Sequence, residues 1–253
     1  MVLWGYGTTA PGTRYDMYSS TANAWTSIAE NGSAIGATTN GPGWMKLVAN
    51  NVAGTDQLGF TSIDGDNDWN VNVWDGSNWG TPPTEDSAME PSGYRETDLA
   101  WEKDSSRCMV IAGDQNTREL KFVAWTSANG WHNPTNSASV TDLTNAPLTT
   151  TGTLGLLGDI NILQLTADPN QNRLIVSILD QASDLTTLNW NGINNTWGTK
   201  TQHEGTVSAA TYECVMMTMD KHDIVPPTIT DAQTGDDTWR NQNTATYDVR
   251  FND

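Results

Sequence analysis

A pair of aromatic residues flanking a tight turn recurs along this chain, and no other feature limits its fold as strongly. It reads WDGSNW at 74–79, WTSANGW at 125–131 and WNGINNTW at 190–197, with a weaker form, YSSTANAW, at 18–25. The copies recur at roughly fifty-residue spacing, the last interval being longer because it takes in the Thr/Leu/Gly-rich stretch 141–158, and a fixed period of this size marks a tandem architecture. Upstream of the pairs, WMKLVANN (44–51), TDLAWEKD (97–104), INILQLTAD (160–168) and ECVMMTMD (213–220) are strand-like, and three of them end on an aspartate, Asp104, Asp168 and Asp220. A second apolar run follows each of the first three (QLGFTSI, CMVIAG, RLIVSI), then an alternating one (NVNVW, LKFVAW, DLTTLNW). Alternation of period two places one face of a strand on a core and the other outward.

Each unit therefore reads as a three-stranded meander, with the segment after the second aromatic as a fourth strand. Tandem four-stranded units are expected to form an all-β fold, a β-propeller of four-stranded blades with about four blades in this chain. A lone blade cannot bury both its faces, so large flat side chains near the turn fill the wedge between neighbours. Asp75-Gly76 and Asn191-Gly192 are expected to supply the positive φ of tight hairpins. Residues 1–225 form the repeat region, with units near 1–36, 43–88, 94–140 and 157–208 and a closing strand in 211–225. MVLWGYG aligns with a second strand and ECVMMTMD with a first, so exchange between the two ends would close a ring and remove its edges. The rival expectation is that further blades precede this segment.

From Pro226-Pro227 the texture changes: 226–253 reads as a linker and a short β tail, ending in the alternating TYDVRF. Together, the W-D-G-S-N-W turn (74–79), the two related tryptophan pairs and PPTITDAQTGDDTWRN resemble tandem-repeat segments of very large bacterial or archaeal surface proteins. In these, propeller-like units precede immunoglobulin-like domains. The resemblance implies that 226–253 is a truncated immunoglobulin-like segment, that the chain belongs to a longer one, and that its setting is extracellular or at the cell surface. It brings no catalytic residue.

Charge narrows the partners. With 30 Asp and Glu against 12 Lys and Arg the net charge is −18, which excludes nucleic acid and anionic membrane surfaces as partners, since both need a basic face. No apolar run is long enough for a membrane span. Cys108 and Cys214 lie in apolar strand-like runs and read as buried inert thiols rather than a disulfide. His132, His203 and His222 fall on separate loops as surface residues, without metal-ligand spacing.

Two sets of carboxylates remain. Asp64, Asp66 and Asp68 in DGDND alternate as oxygen ligands do in calcium loops, but no glutamate stands where such a loop places its bidentate ligand. The run also occupies the position of Asp114 and of Asp180/Asp184 in other units, so it reads first as an acidic solvated turn, with calcium as the metal if one is held. No other cofactor is expected. Asp98, Glu102 and Glu213 lie on or beside first strands, where a propeller hydrolase or lyase acting on carbohydrate would place an acid and a base. The leading expectation is a non-catalytic extracellular repeat module for adhesion, for glycan or surface-protein binding, or for rigid scaffolding.

Overall fold

Every aromatic pair belongs to a sheet of its own. The computed structural model describes residues 1–6, 12–27, 41–89, 95–114, 117–149, 156, 158–207 and 216–219. The fold is all-β, built from four antiparallel meanders. The first sheet holds β1 (Val2–Tyr6), β2 (Gly12–Ser19) and β3 (Ala24–Ser27). The second holds β4 (Pro42–Ala49), β5 (Leu58–Asp64) and β6 (Trp69–Trp74), with a single Trp74–Trp79 bridge in place of a fourth strand. The third is a complete four-stranded meander of β7 (Thr97–Trp101), β8 (Cys108–Asp114), β9 (Glu119–Thr126) and β10 (Gly130–His132). The fourth runs β11 (Ile160–Ala167), β12 (Arg173–Asp180), β13 (Leu185–Asn191), β14 (Thr196–Trp197), and β15 (Thr201–Glu204) also pairs with β13.

Strand alternation builds the core between sheets. On β8, Cys108, Val110 and Ala112 face the second sheet, where they meet Val71 and Val73, while Met109 and Ile111 face Leu163, Val176 and Ile178 of the fourth. Tyr15 of β2 packs with Phe60 and Trp74 between the first and second sheets. The third sheet is thus buried on both faces, and each large apolar side chain so covered contributes about 1.5–3 kcal/mol. The first strands are neighbours: the indole N–H groups of Trp44 and Trp101 bridge β4 and β7, donating to the carbonyls of Thr97 (3.2 Å) and Val48 (2.9 Å). On the other side of β7, Leu163 N donates to Arg95 O at 2.7 Å.

Within this frame the first sheet starts with the equivalent of β5, β8 and β12, as the repeat phase predicts. The expected closing strand is described only over 216–219, where no strand is assigned and no described residue pairs with β1. Instead the Gln164 side chain pairs with the Met217 backbone in both directions, donating to its carbonyl and accepting from its N–H, each at 2.6 Å. The tail 226–253 lies outside the described residues, as do Glu213, Cys214 and His222. Among the described residues no helix is long and apolar enough to cross a membrane.

The turns correct one expectation. Gly76 takes a φ of +106°, as the Asp-Gly turn requires, and the Asp75 carboxylate accepts from Ser77 N and Asn78 N, both at 2.8 Å. At the Asn191-Gly192 turn it is Asn195, with φ +55°, that takes the left-handed conformation. Gly192 is there for close approach: a Cβ would stand 2.8 Å from the Asn172 carbonyl and 2.8 Å from the Glu102 carboxylate.

Candidate functional site

Asp64 closes β5 and organises the turn that follows. One of its carboxylate oxygens accepts from Asp66 N at 2.9 Å and Asp68 N at 3.0 Å. The solvated turn read from the sequence is corrected here: Asp66 is exposed, but Asp64 and Asp68 are buried. The cause is the segment leading away from the second sheet, which folds back so that Trp69 N donates to Asp86 O at 2.8 Å. Burial, reinforced by Asp64, Glu85, Asp66 and Asp86, pushes the Asp68 carboxyl up to about 6, and burial together with Asp64 also raises Glu85. Among the described residues no three His, Cys, Asp or Glu side chains are grouped to hold a metal ion. Asp180 repeats the turn role of Asp64, accepting from Asp184 N at 2.9 Å, and Asp168 accepts from Asn170 N at 2.8 Å. Asp64 and Asp180 are turn formers at equivalent places, after the second strands of their sheets, and Asp168 does the same after a first strand.

The first-strand carboxylates are brought into inter-sheet clamps. Asp98 on β7 is fully buried, with Arg95 Nη2 at 3.0 Å and Lys46 Nζ of the second sheet at 3.4 Å. It also accepts from Leu99 N at 2.8 Å and from Leu165 N of the fourth sheet at 3.0 Å. One carboxylate thus touches three sheets. Glu102, equally buried, accepts from Arg107 Nη2 at 2.7 Å, Trp190 Nε1 at 2.6 Å and Ser105 Oγ at 2.5 Å. Arg107 continues to Asn195 Oδ1 at 2.8 Å and lies 5.5 Å from the Trp190 ring centre. A second buried cation, Lys121, is held by Asp86 and Asp114.

Histidine and cysteine take ordinary structural places. His132, read from the sequence as a surface residue, is instead 3% exposed because β10 is covered by the 139–140 segment, and burial holds its imidazole below the usual range. His203 is exposed, with Nε2 at 2.8 Å from Thr187 Oγ1. Cys108 is a free, fully buried thiol whose ionisation burial pushes far up, so it is inert.

The aromatic pairs follow one packing rule that sequence reasoning missed. Trp74 and Trp79, 5.9 Å apart, lie edge-on to Tyr15 of the first sheet at 6.1 and 5.8 Å. Trp190 and Trp197, 5.2 Å apart, pack at 6.0 and 5.5 Å from Phe122 of the third sheet. Tyr15 and Phe122 each stand three residues before the first aromatic of their own unit, and the second sheet has Val71 there, in one cluster with Trp131. An odd offset sends the two side chains to opposite faces of a strand, so the second and third sheets each receive a pair on one face and insert a pair from the other. Tyr18 and Trp25 of the first sheet form the same edge-on pair at 5.4 Å, yet are 46% and 56% exposed.

No protein-family model matches the chain, and no curated protein matches it. Among solved structures it is similar to the BP39L lectin from Burkholderia pseudomallei, with 14% identity and a TM-score of 0.40 over 64% of this chain and 41% of that one. It is also similar to the SapL1 lectin, solved in complex with alpha methyl fucoside, with 18% identity and a TM-score of 0.43 over 78% of this chain. The chain spans 56% of the length of that second lectin.

Proposed function

We propose that this chain is a non-catalytic repeat module: stacked sheets arranged as propeller blades, forming a rigid scaffold that presents its loops at a cell surface. The observation that carries this reading is the state of Asp98 and Glu102. A glycosidase needs two carboxyl groups facing the scissile bond in different protonation states. Here both are fully buried and their oxygens are taken by Arg95, Lys46, Leu165 N, Arg107, Trp190 and Ser105. A buried carboxylate with this many donors is a structural tie. The order of first strands, with β7 touching both β4 and β11, supports a common axis.

The extracellular setting rests on the surface-repeat resemblance and the strongly acidic, polar composition. A glycan partner is the second reading, favoured by the exposed Tyr18–Trp25 pair, since flat aromatic faces beside polar groups such as Asn23 suit a pyranose ring. The test is turnover on a panel of plant, bacterial and animal polysaccharides. No product release is expected, and Asp98→Asn should lower the melting temperature. Turnover by the parent protein that Asp98→Asn or Glu102→Gln abolishes, while the variant still melts cooperatively, overturns the reading.

A further inference from the structure

Among the described lysines only Lys121 is buried, and it lies against two buried carboxylates. It shares a face of β9 with Val123, the face turned toward the second sheet. Its Nζ is in direct contact with Oδ2 of Asp86, from the 84–89 segment that folds back over β6. Asp114 closes β8 one diagonal step from Lys121, with Oδ1 at 3.6 Å from the same nitrogen. The segment carrying Asp86 is tied down beside them: Leu143 N donates to Thr84 O at 2.9 Å, and Met89, bridged to Asp114, is fully buried. The other charged clamps lack this combination. Asp98 and Glu102 are met by Arg95 and Arg107, whose guanidinium groups keep their protons, and the Lys46 ammonium beside Asp98 is 31% exposed.

We propose that Lys121 and Asp86 condense into an intramolecular amide, a covalent bond between the second and third sheets, with Asp114 carrying the proton. Two groups held in contact away from water escape most of the entropic and solvation cost of condensation. Passing one proton from the ammonium to the Asp86 carboxylate gives an amine beside a carboxylic acid, a pair with less hydration to lose on burial than two charges. The Nζ lone pair then attacks Asp86 Cγ. Negative charge develops on Oδ1, which accepts from Ala88 N at 3.0 Å. Asp114 Oδ1 takes a second proton from the nitrogen, while its Oδ2 is held by the Thr117 hydroxyl at 2.6 Å. Delivered to Asp86 Oδ2, that proton lets the oxygen leave as water. A C–N bond replaces a C–O bond, the nitrogen keeps one hydrogen, and Asp114 is ionised again, so no oxidant or co-reactant takes part. The bond closes a loop between residues 35 apart in sequence and fastens the 84–89 segment to β9.

Intact mass spectrometry of the purified chain tests this. The parent should be lighter than its sequence by one water, and trypsin, after denaturation, should release a branched peptide joining the Asp86 and Lys121 peptides. Lys121→Arg, which can pair with Asp86 but not condense with it, should keep the full mass and melt several degrees lower. Asp114→Asn should slow the loss of water at least tenfold when newly synthesised protein is followed with time. A folded parent that keeps its full sequence mass after prolonged incubation overturns the proposal. So does a water loss mapped to Asp64-Gly65 or Asp75-Gly76, where an aspartate can close on its own backbone, with Lys121 still cleaved by trypsin. An Asp114→Asn variant that links as fast as the parent overturns the proton-carrying role of Asp114. Polysaccharide turnover would sink the scaffold reading without altering the mass or the peptide map, so the two failures are distinguishable.

Discussion

The first and fourth sheets carry the same two-aromatic hairpin, and only one of them is a core. Trp190 is fully buried with its N–H on Glu102 and its ring against Phe122, whereas Tyr18, at the equivalent place, is 46% exposed. The strand that presents the pair is similar in both. What differs is the face opposite. A repeat sequence therefore encodes half of each interface, and the neighbour decides whether an aromatic pair becomes a stabilising core element or an accessible surface.

The largest expected effect comes from breaking this contrast at its buried end. Trp190→Ala should cost about 3–5 kcal/mol in urea denaturation, because it opens a cavity and removes a donor from Glu102. Trp25→Ala, at an exposed position, should cost less than about 0.5 kcal/mol. Equal losses from the two would remove the distinction. Glu102→Ala comes next: it leaves Arg107 buried with its carboxylate partner gone, for a loss of about 3 kcal/mol that Asn195 and Gly192 only partly offset.

The second sheet sharpens the comparison through pH. Asp68 has its carboxyl raised to about 6, above an unfolded value of about 3.9. The folded state thus binds the proton more tightly than the unfolded one, so the contribution is complete below about pH 4 and is lost as pH rises through 6. Asp68→Asn should therefore match the parent at pH 4 and exceed it at pH 7.5 by on the order of 2 kcal/mol. An Asn variant less stable at both pH values contradicts the repulsion described for this turn. A smaller effect is expected from calcium. With one Asp64 oxygen already taken by two backbone N–H groups, a chelator should leave the melting temperature within about 1 °C. A fall of several degrees, abolished in Asp66→Asn, would restore the metal reading for Asp64, Asp66 and Asp68.

The parts legible in the sequence are those fixed by short-range periodicity. The β6, β9 and β13 strands and the phase of the first sheet follow from alternation and from the turn residues Asp75 and Gly76. What was hidden depends on partners far along the chain. Tyr15 and Phe122 look like ordinary alternating residues until the next sheet arrives. Asp98 and Glu102 look like catalytic candidates because their partners Leu165 and Trp190 lie 67 and 88 residues away. The burial of Asp68 comes from the folded-back 84–89 segment, which has no strand pattern of its own. A usable signal did exist for the receiving positions: the residue three before each first aromatic is Tyr, Val and Phe in units one to three and Thr only in the last.

A double-mutant cycle between Phe122 and Trp197 tests most directly whether each aromatic pair is a joint between sheets. The two rings lie 5.5 Å apart, edge to face, on different sheets. Phe122→Leu, Trp197→Leu and the double variant, compared by denaturant unfolding, should show a coupling of about 0.5–1.5 kcal/mol. Additive losses, with no coupling beyond experimental scatter, would mean that the tryptophan serves only its own hairpin and that the stacking rule is wrong.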